Sequence, residues 1–81
     1  MRIHVRLFAA LADGAGCRSF DLDLPPGARA EAVRLALVER FPRLAGLCGR
    51  SAFAVNAEYA DADRLLAAGD EVALIPPVSG G

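Results

Sequence analysis

The stretch that most constrains the fold is Val72-Ala73-Leu74-Ile75, an apolar run opened by Gly69-Asp70 and closed by Pro76-Pro77. Four consecutive apolar residues leave no polar face for solvent, so the run predicts a strand inside a sheet. The two prolines lack backbone N–H donors and fix φ, which denies the next segment both helix and ladder hydrogen bonds. Pairing is therefore expected to stop at Ile75, giving a domain of residues 1–75 and an extended, flexible tail of residues 76–81. Six extended residues span about 20 Å. The tail ends in Gly80 and Gly81, so no side chain crowds the terminal carboxylate and this end suits a narrow channel containing a bulky activating group. A frayed terminus is the plainer reading of a glycine-rich end. The order strand, Pro-Pro spacer, Gly-Gly argues against it.

The other elements follow from periodicity. Arg2 to Phe8 alternates, with Ile3, Val5 and Leu7 on one face and Arg2, His4 and Arg6 on the other, as in a half-buried strand. Phe8 to Ala12 is expected to form one helical turn, and Asp13-Gly14-Ala15-Gly16 a turn. Cys17 to Leu24 alternates again, with Phe20, Leu22 and Leu24 inward, and predicts a strand antiparallel to the first. Ala30, Val33, Leu37 and Phe41 recur at helical spacing, and Pro42 ends that helix. Arg29 provides no capping side chain, so fraying is expected at the helix start. Leu35 and Val38 widen the apolar face, through either deeper burial or a contact surface. Arg43 to Ser51 reads as a loop held by Leu44 and Leu47, Ala52 to Asn56 as a strand, Tyr59-Ala60 as a very short strand, and Leu65-Leu66 as a helical turn. One helix covering one face of this β-β-α-β-β-β order is an α+β arrangement, with the first and last strands parallel at its centre.

Eighty-one residues, 54% hydrophobic and 23% charged, make one small domain that buries about 60% of its unfolded surface. The net charge is −1 and the nine basic residues are dispersed, which argues against nucleic acid as a partner. The apolar stretches fall short of the ~20 residues of a membrane span and the start lacks a signal-peptide pattern, so a cytoplasmic protein away from membranes is expected. All nine basic residues are arginine, which leaves no side-chain amine to receive the C terminus of another copy.

Conventional catalytic groups are sparse. His4, the single histidine, belongs to the polar face of a strand. Cys17 and Cys48 are too few and too far apart for a zinc site, so no metal is expected. They read as small reduced side chains, with Cys48, beside Gly49 in the expected loop, the better candidate for a direct sulfur-carrying cysteine. No phosphate-binding loop, Ser-His-Asp set or paired-carboxylate pocket can be assembled. The chain is therefore not expected to be an enzyme by itself, and the carboxylate of Gly81 is the group whose position gives it a chemical role. A carboxylate is a poor electrophile until one oxygen becomes a leaving group. With no ATP site of its own, the chain would need a partner to activate it.

Gly69-Asp70-Glu71-Val72-Ala73 followed by Ile75-Pro76-Pro77-Val78-Ser79-Gly80-Gly81 resembles the C-terminal motif of the MoaD family, the small sulfur-carrying subunits of molybdopterin synthase within the MoaD/ThiS ubiquitin-like proteins. Weaker similarity runs in order through Arg6-Leu7-Phe8-Ala9, Pro25-Pro26-Gly27-Ala28, Glu39-Arg40-Phe41-Pro42 and Ala54-Val55-Asn56, covering the whole chain. The resemblance implies a ubiquitin-like β-grasp fold, a mixed sheet of about five strands covered by one main helix. It implies that Gly81, with Gly80 beside it, is adenylated and then converted to a thiocarboxylate that gives its sulfur to a pterin precursor in molybdenum cofactor biosynthesis. The implied partners are a MoaE-like large subunit carrying the catalytic side chains, a MoeB-like adenylating enzyme that uses ATP, and a persulfide sulfur donor. No tightly bound cofactor is implied. Phe8, Tyr59 and Ile75 match docking positions of the family, and Pro76, Pro77, Val78 and Ser79 form the tail that enters the partner. Two other uses suit the same tail: sulfur transfer for thiamin or cysteine synthesis, and conjugation of Gly81 to a target lysine as a ubiquitin-like modifier. A plain interaction domain, indifferent to loss of Gly81, is the third class.

Overall fold

The computed structural model describes residues 1–77. The expectations for Val78, Ser79, Gly80 and Gly81 lie outside the described residues. In chain order the elements are β1 (Arg2–Leu7), α1 (Ala9–Ala15), β2 (Ser19–Asp23), α2 (Ala30–Arg40), a 3-10 turn (Pro42–Leu44), α3 (Ala45–Gly49), β3 (Ala52–Val55), β4 (Glu58–Ala60) and β5 (Glu71–Ile75). The five strands form one sheet in the order β2-β1-β5-β3-β4. β1 and β5 pair in parallel at its centre, with Val5 opposite Val72 and Leu7 opposite Leu74. The other pairings are antiparallel. This is the mixed sheet of a β-grasp fold.

Alternation divides the sheet into two faces. Ile3, Val5, Val55, Val72 and Leu74 are fully buried on one face, where Ala30, Val33 and Leu37 of α2 meet them. Among the described residues, no helix covers the opposite face. Arg2, His4 and Arg6 stand on it in β1, across from Asp23, Asp21 and Ser19 of β2. Next to them it carries Glu71, Ala73 and Ile75 of β5 and Ala52 and Ala54 of β3.

The helix start differs from its expectation. No side chain caps α2, but the N–H groups of Ala30 and Glu31 donate to the carbonyls of Arg64 (2.9 Å) and Ala62 (3.0 Å). The Arg29 guanidinium also donates to the Asp63 carbonyl at 2.8 Å. The 61–66 segment thus satisfies the orphan donors that a capping residue would satisfy. That use of its backbone explains why Leu65-Leu66 is not the expected helical turn: Leu65 bridges Arg29 and the Leu66 N–H reaches the Ala28 carbonyl at 3.0 Å. Leu35 is exposed, whereas Val38 packs against the core.

Two further expectations are corrected. The helical turn after Phe8 is two turns long and takes in Asp13 and Gly14, ending at Gly16 in the left-handed region with its N–H on the Ala12 carbonyl at 2.9 Å. Most of Arg43 to Ser51, read as a loop, is helical as far as Gly49, because Leu44, Leu47 and Cys48 recur at three and four residues and pack inward. Arg34 ties this segment to α2 and β3. Its guanidinium donates to Glu31 at 2.8 Å, reaches the Cys48 carbonyl at 3.5 Å and lies 4.9 Å from the Phe53 ring centroid.

The β3–β4 hairpin turns at Asn56 and Ala57, both with positive φ (50° and 69°). The Asn56 amide donates to Asp70 at 2.9 Å and its oxygen accepts the Glu71 N–H at 3.0 Å. Asp70 in turn accepts the Ala67 N–H at 2.8 Å. These bonds fix the entry of β5, and the Ala67 N–H, followed by the Asn56 amide, holds the Asp70 carboxyl below its usual range.

Two outcomes follow for the fold. Leu37→Ala is expected to lower stability in urea denaturation by about 2–5 kcal/mol, because a fully buried side chain at the helix–sheet interface leaves a cavity. A carboxyl with a depressed native value contributes stability that is present above its unfolded value and lost as pH falls through the native one. Asp70→Asn should therefore flatten the stability–pH curve below about pH 4, and an acid limb identical to that of the wild type would contradict the Asp70 clasp.

Candidate functional site

The end of the sheet where β5 leads into the tail is a groove of about 670 Å³ lined by Phe8, Ala9, Ala10, Leu47, Arg50, Ile75, Pro76 and Pro77. Each part has a local cause. Phe8 follows β1 in extended conformation (φ −123°, ψ 151°), and Ala9 then takes φ 50°, turning the chain into α1. Alternation after the inward Leu7 directs Phe8 out of the core, and its side chain is exposed. Arg6 lies 5.5 Å from the Phe8 ring centroid and 3.9 Å from the Glu71 carboxylate, so the cation covers one face of the ring. Leu47 arrives on α3, and Arg50 follows at its C-terminal cap. Ile75 alternates outward from the fully buried Leu74 and is half-buried. Pro76 is buried and Pro77 exposed, so packing continues one residue past the expected boundary at Ile75.

Of the docking residues expected from the sequence, Phe8, Ile75, Pro76 and Pro77 meet in this groove. Tyr59 does not. It is the most exposed of the large apolar side chains (79%) and borders a separate recess with Ala60, Asp61, Asp63 and Arg64. It does share the helix-free face, because it pairs with Ala54, which pairs with Ala73, which pairs with Arg6. The floor between Tyr59 and the groove is thus two alanines. Leu47 and Arg50 were not anticipated as groove residues; the 44, 47, 48 spacing that makes the segment helical is the signal that would have brought them here.

The cysteine alternative is not favoured by geometry. Cys48 is a free thiol at 0% exposure on α3, not in a loop, and burial pushes its pKa up, with Arg34 opposing only in part. A sulfur nucleophile needs the opposite shift and access. Cys17 is free and half-buried. His4 lies on the helix-free face with Nδ1 2.7 Å from Asp21. Among the described residues no group of three His, Cys, Asp or Glu side chains is placed to hold a metal ion, and no helix is long and apolar enough to cross a membrane.

The groove and helix-free face therefore offer apolar contact beside the end of β5. The same architecture recurs in known proteins. The molybdopterin synthase sulfur carrier subunit of Homo sapiens is 37% identical over 99% of this chain and 94% of its own length. The crystal structure of SAMP1 from Haloferax volcanii matches with a TM-score of 0.88 at 35% identity over 100% of both chains. A chain in the complex of subunits 1 and 2 of molybdopterin-converting factor from Helicobacter pylori matches with a TM-score of 0.71 at 27% identity, also over 100% of both. The ThiS family model matches residues 5–81. That match takes in nearly the whole chain, including β5 and the Gly-Gly end, and the chain belongs to the ThiS family.

Proposed function

We propose that this chain is the sulfur carrier subunit of a molybdopterin synthase. The observation that carries the reading is the join between β5 and the Gly-Gly end: the central strand runs into Pro76 and Pro77 at the rim of an apolar groove, four residues before the carboxyl of Gly81. Full-length similarity to the human sulfur carrier subunit supports the same assignment. A MoaE-like large subunit is the partner that fits, as in the two-subunit Helicobacter pylori complex, and it would supply the catalytic side chains.

The chemistry begins at Gly81. A carboxylate oxygen attacks the α-phosphorus of ATP on a MoeB-like partner and pyrophosphate leaves. The terminal sulfur of a persulfide donor then attacks the carbonyl carbon, and AMP leaves with the electron pair of its C–O bond. A second thiol cleaves the resulting S–S bond, releasing the thiocarboxylate and forming a disulfide. The sulfur is nucleophilic near neutral pH and attacks a carbon of the pterin precursor on the large subunit as an oxygen leaving group departs; water then cleaves the acyl C–S bond, leaving sulfur on the precursor and returning Gly81 as the carboxylate. The body of this chain binds and positions; the groove with Phe8 and Ile75, together with Tyr59 on the helix-free face, is the docking surface.

Conjugation as a modifier is the second reading, favoured by the likeness to SAMP1, whose Methanosarcina acetivorans counterpart is described as a small archaeal modifier protein. The fate of the C terminus separates the two. Intact mass spectrometry of protein from its native cell should show a gain of about 16 Da, labelled by a thiol reagent at Gly81 and absent when Gly81 is deleted. Conjugates that survive denaturation and thiol, without that gain, would replace the carrier reading by the modifier one. Phe8→Asp, Ile75→Asp and Tyr59→Asp should each weaken binding of a MoaE-like subunit by about 10- to 100-fold and leave circular dichroism unchanged. Wild-type affinity in the first two would remove the groove from the interface.

A further inference from the structure

Phe8 is shared by two recesses, and each holds arginine. Arg50 lines the groove already described, while a second recess of about 400 Å³ is lined by Phe8 together with Arg6, Asp13 and Arg18. The three arginines differ in how their charge is used. Arg6 lies over the Phe8 ring and 3.9 Å from the Glu71 carboxylate, so its charge is answered inside the molecule. Arg18 and Arg50 are exposed, and among the described residues neither lies within ion-pair distance of a carboxylate. The carbonyl of Arg18 accepts the Leu7 N–H at 2.8 Å, which holds that residue beside the strand end from which Phe8 projects. Arg40 and Arg43 are likewise outside any such pair, but they line a recess that does not include Phe8. An exposed aromatic ring is thus bordered by two guanidinium groups whose forked donors match carboxylates in pairs.

We propose that the large-subunit surface receiving Phe8 is an apolar pocket with carboxylates on its rim, and that Arg18 and Arg50 engage those carboxylates in the two recesses that Phe8 joins. The apolar part of this face, Phe8 with Leu47 and Ile75, calls for an apolar counterpart, which a protein supplies. A nucleic-acid backbone calls for a continuous basic track, and here Asp13 and Glu71 interrupt it. Charges placed around a docking surface act mainly on the rate of encounter and on its orientation. Arg2 provides the internal comparison, because it lies at the far end of β1, about 20 Å from Phe8 at strand rise and about two screening lengths away in 0.1 M salt.

The inference rests on the reading that a MoaE-like large subunit docks at this groove, and its test separates the two. Full-length wild type, R18E, R50E and R2E, each with the wild-type melting temperature, are mixed in stopped flow with the large subunit from the same cell. Salt is varied from about 0.03 to 0.3 M, which shortens the screening length from roughly 18 to 6 Å. R18E and R50E should each associate about tenfold more slowly than wild type at the lowest salt, with the difference closing as salt rises. R2E, an equal change of charge, should keep the wild-type rate. The double lysine variant R18K/R50K should keep the wild-type association rate and its salt dependence, because the charge is unchanged, but dissociate faster for want of the fork. Wild-type association by R18E and R50E, or equal slowing by R2E, would overturn the proposal. So would binding of a polyuridylate strand that R18E and R50E abolish while large-subunit binding is kept, which would assign these arginines to nucleic acid. Phe8→Asp separates the levels: wild-type affinity in that variant removes the docking reading itself, whereas its loss of binding beside unaffected R18E and R50E removes this inference alone.

Discussion

Parallel pairing of β1 with β5 is the constraint on which the molecule depends. Both strands are central, so each needs a partner on either side and an apolar face toward α2. Val5, Leu7, Val72 and Leu74 meet both needs at once. Parallel strands cannot be joined by a tight turn, and here the intervening chain makes the crossover by way of α2, which therefore lies against the sheet and closes the core. Once β1 and β5 run the same way, β5 ends beside Phe8, where the chain leaves β1 for α1. The groove is a consequence of that shared direction. Its remaining wall, Leu47 and Arg50, is delivered by α3, which Arg34 secures to α2 and to Phe53.

The two faces of the sheet differ in character, one closed by α2 and the other open. The face under α2 carries branched residues that are fully buried. The helix-free face is charged at β1 and β2 and then becomes small and apolar toward β3, where Ala54 and Ala73 lie low between Tyr59 and Ile75. Pairs such as Arg2 with Asp23 and Arg6 with Glu71 are exposed and add little to stability. They give one half of the face a charged character beside a half that is apolar.

Sequence patterning carried most of the architecture. Alternation in residues 2–8 and 17–24, the three-four spacing from Ala30, and the short apolar run before Pro76 correspond to real elements with ends displaced by one or two residues. It failed where the partner of a group lies far along the chain. Arg29 predicts an uncapped helix, but the donors of α2 are satisfied by carbonyls more than thirty residues later, which no local signal reveals. The same bonds consumed the backbone of Leu65 and Leu66 and kept it from being helical. Gly14 read as a turn because glycine disfavours helices, yet a Cβ there would stand 2.4 Å from a methyl of Leu44; its smallness serves packing between α1 and the 3-10 turn. At the site, Phe8 and Ile75 were legible from alternation next to the tail. Arg50 was hidden because its segment was taken for a loop.

The location of β5 also has a mechanical meaning. A tail rooted in an edge strand would peel away one hydrogen bond at a time under load, as a zipper opens. Here the chain leaves the sheet from a central strand, flanked by ladders to β1 and β3 on both sides, and Pro76 is buried in the body at its base. Traction applied through a gripped C terminus would enter the sheet as shear across both ladders together, and local opening at the root would cost nearly as much as global unfolding. The domain can thus bear a pull on its last strand without losing its shape.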